Sequence, residues 1–176
     1  MKIDPTKLSS RMAQSLNESG RIDVWFYHLI DKPLANRCGS PIEAMLGAAL
    51  LLIDKFDGMP GYPLTLAGQD EIPDWDSVGE TRLLIPQFNF EDYRIDWAYR
   101  NGKQLTFVEC DGHEFHEKTK EQVARDKLRD RRIQAAGHPI LRFAGSEIWN
   151  DPFLCAQQIQ EFVDNRDAPA ELRSNA

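Results

Sequence analysis

The chain has 176 residues, the length of one domain, with 41% hydrophobic residues and a net charge of −7 at pH 7. No apolar run approaches the roughly 20 residues that a membrane-spanning helix needs, so the composition predicts a soluble globular protein. The negative charge excludes a protein that coats nucleic acid, because such binding comes mainly from Lys and Arg neutralising phosphates.

The N-terminal sequence and the cysteines favour the cytoplasm. The first residues, MKIDPTKLSSRMAQ, lack the apolar stretch of about 7–15 residues that a secretory signal contains. Cys38, Cys110 and Cys155 are odd in number and widely spaced, so they are typical of reduced thiols and not of a disulfide framework.

The chain begins with residues 1–39, which are weakly patterned and predict a helical extension that packs onto the core. Ser40 is a good N-cap, Pro41 suits the first helical position, and Glu43 completes an S-x-x-E capping box. We therefore expect a helix from Ser40 to about Asp57, opening an α/β domain over residues 40–164. Residues 165–176 are expected to form a flexible tail.

Three β-rich runs follow a long loop. Residues 58–80 are rich in Gly, Pro and Asp and predict a surface loop that encloses at most one short strand. The runs are RLLIPQFNF, YRIDWAY and QLTFVEC, and Asn101-Gly102 between the last two predicts a hairpin.

A helix is then expected from Glu117 to Ala136, with Gly137 at its C-terminal cap. PILRF predicts a further strand, and Asp151 and Pro152 open a last helix. The order α-β-β-β-α-β-α predicts an α/β fold with a mixed sheet flanked by helices.

The predicted hairpin brings acidic residues together. If Asn101 and Gly102 are the central residues of the turn, Asp96 lies opposite Phe107 and shares a face with Glu109 and Asp111. The other face then carries mostly apolar residues, namely Ile95, Trp97, Tyr99, Thr106, Val108 and Cys110.

Carboxylates on one face of two mostly apolar strands repel one another and resist desolvation, and a bound Mg²⁺ would offset both costs. Such a cation polarises a phosphodiester and activates water. The simpler alternative is a solvent-facing hairpin in which Asp96 and Glu109 pair with Arg94 and Lys103.

A family resemblance favours the metal site. The segment Phe107–His116, with Ala124-Arg-Asp126, Arg131 and GHPILRF, resembles the PD-(D/E)XK nuclease superfamily, in the branch related to very-short-patch mismatch repair endonucleases. That branch carries E-x-D-G-x-x-x-H, then a helix with R-D, then a strand ending in L-R-F. The resemblance spans roughly residues 40–150 and implies a restriction-endonuclease-like fold.

The resemblance implies roles for several residues. Asp96 and Glu109 would bind Mg²⁺ or Mn²⁺, and Cys110 would contribute its backbone carbonyl. Further residues would lie near the metal, the scissile phosphate or a metal-bound water, namely Glu43, Gln87, His116 and Asp126.

The chain departs from the superfamily pattern at Asp111, which stands where E-x-K places a lysine. The candidate to replace that lysine is His116, with Lys118, Lys120 and Lys127 on the following segment as alternatives.

Some of these residues also have purely structural interpretations. Glu43 completes a capping box, Asp111-Gly112 suits a turn, and Asp126 can pair with Arg129. The literal Pro73-Asp74 lies in loop sequence and has no role. A zinc site formed by Cys110, His113 and His116 lacks an evident fourth ligand.

A basic segment follows the acidic residues. From Glu117 to Arg142 there are eight Lys or Arg against four Asp or Glu. We expect phosphate contacts from this segment, the candidates being Lys118, Lys120, Arg125, Lys127, Arg131 and Arg132.

The sequence therefore predicts a metal-dependent endonuclease acting on DNA. The alternative is a catalytically inactive nuclease-fold protein that binds nucleic acid or a partner protein. No residue excludes RNA as the substrate, and a partner protein or a homodimer is compatible with the sequence.

Overall fold

A computed structural model describes residues 8, 12–14, 21–58, 61–72, 81–112 and 119–167. The helices and strands follow in the order α1 (Arg21–Leu29), α2 (Pro41–Asp57), β1 (Leu64–Leu66), β2 (Arg82–Phe90), β3 (Tyr93–Asn101), β4 (Gln104–Asp111), α3 (Lys120–Ala135), β5 (Ile140–Ala144), α4 (Gly145–Asn150) and α5 (Pro152–Asp167). A wide helical turn, Ile30–Leu34, continues α1, and a 3₁₀ turn, Gln69–Glu71, follows β1.

The strands form one mixed sheet in the order β1-β2-β3-β4-β5. The central pairs β2–β3 and β3–β4 are antiparallel, whereas β1–β2 and β4–β5 are parallel. The α/β prediction with a mixed sheet flanked by helices is confirmed, and the long loop does enclose a short strand, β1.

Two apolar clusters lie on opposite faces of this sheet. One joins α1, α2 and α5 to the strands through residues that include Phe26, Leu50, Trp97, Val108, Phe143 and Ile159. The other joins α3 to the strands through Leu83, Ile85, Phe88, Ile95, Ala98, Phe107 and Ile133, together with Ile72. The central strands β2, β3 and β4 therefore carry buried apolar residues on both faces of the sheet.

A buried polar network fixes β1 at the edge of the sheet. The Asp54 carboxylate at the end of α2 accepts a hydrogen bond from Leu64 N at 2.6 Å. The same carboxylate forms an ion pair with Arg82 of β2, which also donates to the Tyr99 hydroxyl. Because both charged side chains are buried, the pair compensates for the desolvation of each.

The helix boundaries differ from the sequence prediction at three places: α3 starts later, the short helix α4 was not predicted, and α5 runs to Asp167, into the predicted tail. Thr119 caps α3 by accepting from Gln122 N, so the helix begins at Lys120 and not at Glu117. Residues 113–118 lie outside the described part of the chain. At the other end Gly137 has a φ of +86°, as expected for a glycine that ends a helix.

The predicted register of the β3–β4 hairpin is wrong by one position in the turn. Asn101 pairs with Gln104, so the central turn residues are Gly102 and Lys103. Gly102 carries the positive φ of +54° at the first central position, where a type II′ turn places glycine. As a result Phe107 pairs with Ala98 and not with Asp96.

The alternation of side chains along β2 and β3 changes at Gln87 and Asp96. The recorded pairs pass from Pro86↔Trp97 to Phe88↔Ile95, and Gln87 has a positive φ of +50°. Ile95 consequently packs in the α3 cluster, whereas Trp97 packs against α2. The prediction that these two residues share a face is therefore wrong, because it assumed an unbroken period of two.

None of the helices in the described ranges is long and apolar enough to cross a membrane.

Gly47 in the middle of α2 leads to a prediction about stability. A Cβ at this position would lie 2.4 Å from the Trp97 ring, which is fully buried. Helix propensity alone would make Gly47→Ala stabilising by about 1 kcal/mol. We expect the opposite, a loss of about 1–3 kcal/mol from overpacking, measured by urea denaturation. A variant at least as stable as the wild type would show that α2 and β3 do not pack this closely.

Candidate active site at the fork of β3 and β4

The two central strands separate at one end of the sheet. The recorded pairing of β3 with β4 ends at Trp97↔Val108. Beyond that point β3 continues to pair with β2 as far as Tyr93, and β4 continues to pair with β5 as far as Asp111. The sheet therefore has a fork, and the acidic residues singled out in the sequence lie around it.

Asp96 lies at this fork. Its Oδ2 accepts a hydrogen bond from Cys110 N at 2.8 Å, so the carboxylate links the two strands where the ladder between them has ended. Burial raises the pKa of Asp96 to about 6, the Cys110 amide opposes this rise, and the negative charges of Glu43 and Asp111 add to it. The charged form of Asp96 is thus disfavoured mainly by desolvation, and the neighbouring carboxylates add to this effect.

Glu43 reaches the fork from the first turn of α2. Its buried carboxylate accepts from Gly39 N at 2.7 Å, from the Ser40 hydroxyl at 2.7 Å and from Gln87 Nε2 at 2.6 Å. Ser40 Oγ in turn accepts from Glu43 N. Glu43 therefore does stabilise the helix N-terminus, and the same carboxylate also joins α2 to the distorted part of β2.

The Gln87 side chain has one polar atom left without a partner. Its Oε1 is buried and makes no hydrogen bond within the described structure, although its Nε2 donates to Glu43. Gln87 also borders a polar groove of about 580 Å³, which Arg37, Gln69 and Asn89 line as well. Gln87 therefore connects this groove to Glu43.

Glu109 is held from the opposite side of the sheet. Arg129 of α3 donates from Nη2 to Glu109 Oε1, and only 8% of the Glu109 side chain is exposed. Arg129 also lies close enough to Asp96 to lower the pKa of that carboxyl. A guanidinium therefore neutralises the carboxylate that the sequence assigned to the metal.

Asp111 has a different arginine partner. Arg142 of β5 donates from Nη1 to Asp111 Oδ1 at 3.0 Å and from Nη2 to Asp130 Oδ1 at 2.8 Å. Burial opposes the charge of Arg142, but the hydrogen bonds and charges of the two aspartates raise its pKa overall. Asp111 is thus part of a three-residue bridge between β4, β5 and α3.

The cysteine near the site is not a reactive thiol. Cys110 is buried, and its pKa is raised by burial first and then by the Asp96 and Glu43 charges. The same causes, with burial again the largest, raise the pKa of Cys38 to about 12. Both thiols therefore stay protonated, and together with Cys155 they are free cysteines.

The candidate site offers oxygen ligands to a metal ion but no larger cluster of ligands in the described ranges. Within them no three His, Cys, Asp or Glu side chains are grouped so as to hold one. Asp96 and Glu109 nevertheless provide carboxylate oxygens, which are the donors that Mg²⁺ takes from proteins, usually through one or two carboxylates. The donor chemistry therefore fits a hard cation, although Arg129 has to leave Glu109 first.

The basic residues of α3 fall on two exposed stripes. Ile133 and the half-buried Asp126, Arg129 and Asp130 form the inner face of the helix. Lys120, Lys127 and Arg131 share one flank by helical spacing, and Arg125 and Arg132 share the other. All five side chains are exposed. Arg132 also donates to the Tyr93 hydroxyl at 3.2 Å.

Other predicted site residues are less closely tied to the fork. His113, His116 and Lys118 lie outside the described residues. Asp126 is half-buried on α3. The sequence indicated Arg129 only as a partner for Asp126. The signal that could have found it is its position four residues before Ile133, on the inner face of the helix.

An apolar cavity lies away from the fork. It measures about 890 Å³ and is bordered by Trp25 and Leu29 of α1 and by Leu51, Lys55 and Phe56 of α2. Its lining is mainly apolar and contains none of the acidic residues at the fork, so it does not belong to the candidate site.

The pKa of Asp96 generates a prediction for stability. Because it is raised to about 6, the folded protein holds a proton between about pH 4 and 6 that the unfolded chain releases. The contribution of Asp96 to stability therefore falls as the pH rises through this interval. Asp96→Asn keeps an oxygen that can accept from Cys110 N, so we expect a higher melting temperature than the wild type at pH 7.5 and a similar one near pH 4, both in EDTA.

Asp111→Asn is the matched control, because Asp111 is paired with Arg142 and its replacement should destabilise the protein at pH 7.5. If Asp96→Asn lowers the melting temperature equally at both pH values, Asp96 is not an uncompensated charge.

Comparison with known proteins gives one match. Residues 80–163 match the model of the family REase_MTES_1575, a restriction endonuclease-like family. The matched segment begins just before β2 and ends within α5, so it contains the whole fork except Glu43. No curated protein and no solved structure matches the chain.

The five-stranded mixed sheet with helices on both faces is consistent with this match. The fold is thus consistent with a restriction-endonuclease-like fold, and the matched segment is similar to a restriction endonuclease-like family, which is consistent with the PD-(D/E)XK superfamily.

Proposed function

We propose that the protein is a Mg²⁺- or Mn²⁺-dependent endonuclease that hydrolyses phosphodiester bonds in DNA. Within the PD-(D/E)XK superfamily we place it in the branch related to very-short-patch repair endonucleases, on the E-x-D-G-x-x-x-H run from Glu109 to His116. The observation that carries the proposal is the position of Asp96, half-buried at the fork of the two central strands, where the Cys110 amide holds its carboxylate and the charges of Glu43 and Asp111 lie nearby.

Asp96 and Glu109 would hold the cation, and Cys110 would add its backbone carbonyl. When bound, such a cation polarises the scissile phosphate and lowers the pKa of an attacking water. The residues around it fix the ligands. The Cys110 amide orients Asp96, and the burial of Glu109 restricts its side chain.

Glu43 and Gln87 would act as a connected pair beside the ligands. Gln87 orients Glu43 through its amide nitrogen, which leaves Gln87 Oε1 free to accept a hydrogen bond from a water or from the substrate. Three hydrogen-bond donors already hold the Glu43 carboxylate, so it is pre-organised.

The remaining catalytic candidates have separate roles. Asp111 would brace the end of β4 through Arg142 and Asp130. His116 would take the place of the missing lysine and accept a proton from the attacking water, since a neutral imidazole serves as a general base near neutral pH. Asp126 would face the site from α3.

The alternative function is a nuclease fold that binds nucleic acid or a partner protein without cleavage. The ion pair between Arg129 and Glu109 favours it, because a neutralised carboxylate is a poor metal ligand. A supercoiled plasmid incubated with the protein and Mg²⁺ or EDTA separates the two functions. Single-stranded RNA in the same assay tests the substrate class.

The surroundings of the proposed site suit a nucleic acid. The exposed stripes of α3 would contact phosphates beyond the fork, where they concentrate positive charge on an acidic protein. The free thiols agree with a reducing compartment such as the cytoplasm. If each fork cuts one strand, cleavage of both strands of a duplex would need a homodimer or a partner protein.

The first prediction of this proposal concerns the ligands. Asp96→Ala and Glu109→Ala should each reduce Mg²⁺-dependent plasmid cleavage to the level of the EDTA control, because each removes a metal carboxylate. Asp57→Ala is the matched control, since Asp57 is an exposed carboxylate at the far end of α2. Cleavage at the wild-type rate by either site variant would rule out the proposed ligand.

The second prediction concerns α3. Because its basic residues lie on two flanks, we expect Lys127→Ala with Arg131→Ala, and separately Arg125→Ala with Arg132→Ala, to identify the flank that faces DNA. The DNA-facing pair should weaken binding to all sequences and reduce the slope of log K against log salt by roughly 2, about 0.9 for each lost phosphate contact.

Titrations of fluorescent DNA in EDTA at several salt concentrations give this slope without cleavage. If the slope stays unchanged in both double variants, α3 is only a solvated face.

A further inference from the structure

Arg129 lies at the candidate site without having been assigned to it. It extends from α3 to Glu109 of β4, and 19% of its side chain is exposed against 8% for Glu109. Its guanidinium also lies 6.0 Å from the centre of the Tyr93 ring on β3. Arg129 therefore contacts both arms of the fork from the side opposite Glu43.

The hydrogen bonding of Arg129 is incomplete. Its Nε is buried and has no hydrogen-bond partner within the described structure. A guanidinium carries five donors in a planar fork, and this geometry matches carboxylate and phosphate oxygens. Arg82, in the buried pair with Asp54, also has an unpartnered Nε, so what distinguishes Arg129 is its place at the fork, with its guanidinium on a proposed metal ligand.

Arg142 provides a direct comparison within the same site. It binds Asp111 and Asp130 at once and donates through Nε, Nη1 and Nη2. Arg142 thus joins three elements of the fold, whereas Arg129 forms its ion pair in the described structure with Glu109. The two arginines have the same charge, but only Arg142 has the geometry of a permanent brace.

A metal and Arg129 compete for the same carboxylate. Glu109 is buried and needs a positive partner, since an isolated charge there would be costly. Arg129 serves as that partner in the metal-free protein and keeps its charge at any physiological pH. When a cation takes Glu109, the guanidinium loses its counter-charge and requires another anion within reach.

We propose that Arg129 is an exchangeable counter-ion, which neutralises Glu109 in the absence of metal and transfers its guanidinium to a substrate phosphate once the metal binds. This inference rests on the proposed nuclease function. It assigns to Arg129 the positive charge that E-x-K nucleases place two residues after the glutamate, where this chain has Asp111. Arg129 thus contacts a metal ligand before the metal binds and the substrate afterwards.

The test measures Mn²⁺ binding to the protein alone by isothermal titration calorimetry. Arg129→Met keeps the apolar stem and removes the competing charge, so we expect Mn²⁺ to bind at least about tenfold more tightly than to the wild type. Arg142→Met is the matched control, in which a nearby charge is lost but not one that occupies Glu109. It should tighten binding by no more than about threefold.

A second measurement on the wild type covers the case in which Arg129→Met does not fold. In ¹⁵N NMR spectra the arginine Nε–H signals can be followed during a Mg²⁺ titration and assigned with the Arg129→Lys and Arg142→Lys variants. The Arg129 signal should shift as Mg²⁺ saturates the site, and the Arg142 signal should stay in place. Short duplex DNA added next should shift the Arg129 signal again.

The outcomes separate this inference from the proposed function. If the wild type binds Mn²⁺ and cuts DNA, but Arg129→Met binds Mn²⁺ no more tightly and the Arg129 signal is unmoved by Mg²⁺, Arg129 is a static ion pair and the inference is wrong. If the wild type neither binds Mn²⁺ nor cuts DNA, the proposed function itself is wrong and the inference is lost with it.

Discussion

The hydrogen bond from Cys110 N to Asp96 Oδ2 is the contact on which the candidate site depends. It links β3 and β4 just beyond their last pair, Trp97↔Val108, so a side-chain hydrogen bond replaces backbone pairing there. The fork gives access to the carboxylates without leaving this backbone amide unsatisfied. The Asp96 carboxylate at the fork is partly buried and lies near other acidic groups, and this environment raises its pKa.

Two arginines offset this negative charge in different ways. Arg142 connects Asp111 and Asp130 and so fixes β4, β5 and α3 relative to one another. Arg129 neutralises Glu109, and its buried Nε has no hydrogen-bond partner in the described structure. Breaking a buried ion pair by removing one partner typically costs about 3–5 kcal/mol, so Arg129 stabilises the burial of the Glu109 carboxylate.

The helix α2 supplies the other half of the support. Trp97 Nε1 donates to the Glu43 backbone carbonyl at 3.2 Å, and the Trp97 ring lies where a side chain on Gly47 would otherwise be. The Glu43 carboxylate then binds Gln87 at the point where β2 leaves its regular path. The packing of Trp97 and the hydrogen bonds of Glu43 thus stabilise the change of alternation at Gln87 and Asp96.

The sequence by itself determined the α/β class, the capped start of α2, the glycine end of α3 and the gathering of Asp96, Glu109 and Asp111 near one hairpin. These features follow from local periodicity, capping and turn chemistry, which act over a few residues. The tertiary structure alone decided the change of alternation at Asp96, the link from Glu43 to Gln87 across 44 positions, and the pairing of Glu109 with Arg129. These depend on which helix packs on which face, because a strand period of two holds only where no neighbouring element pulls a residue out of it.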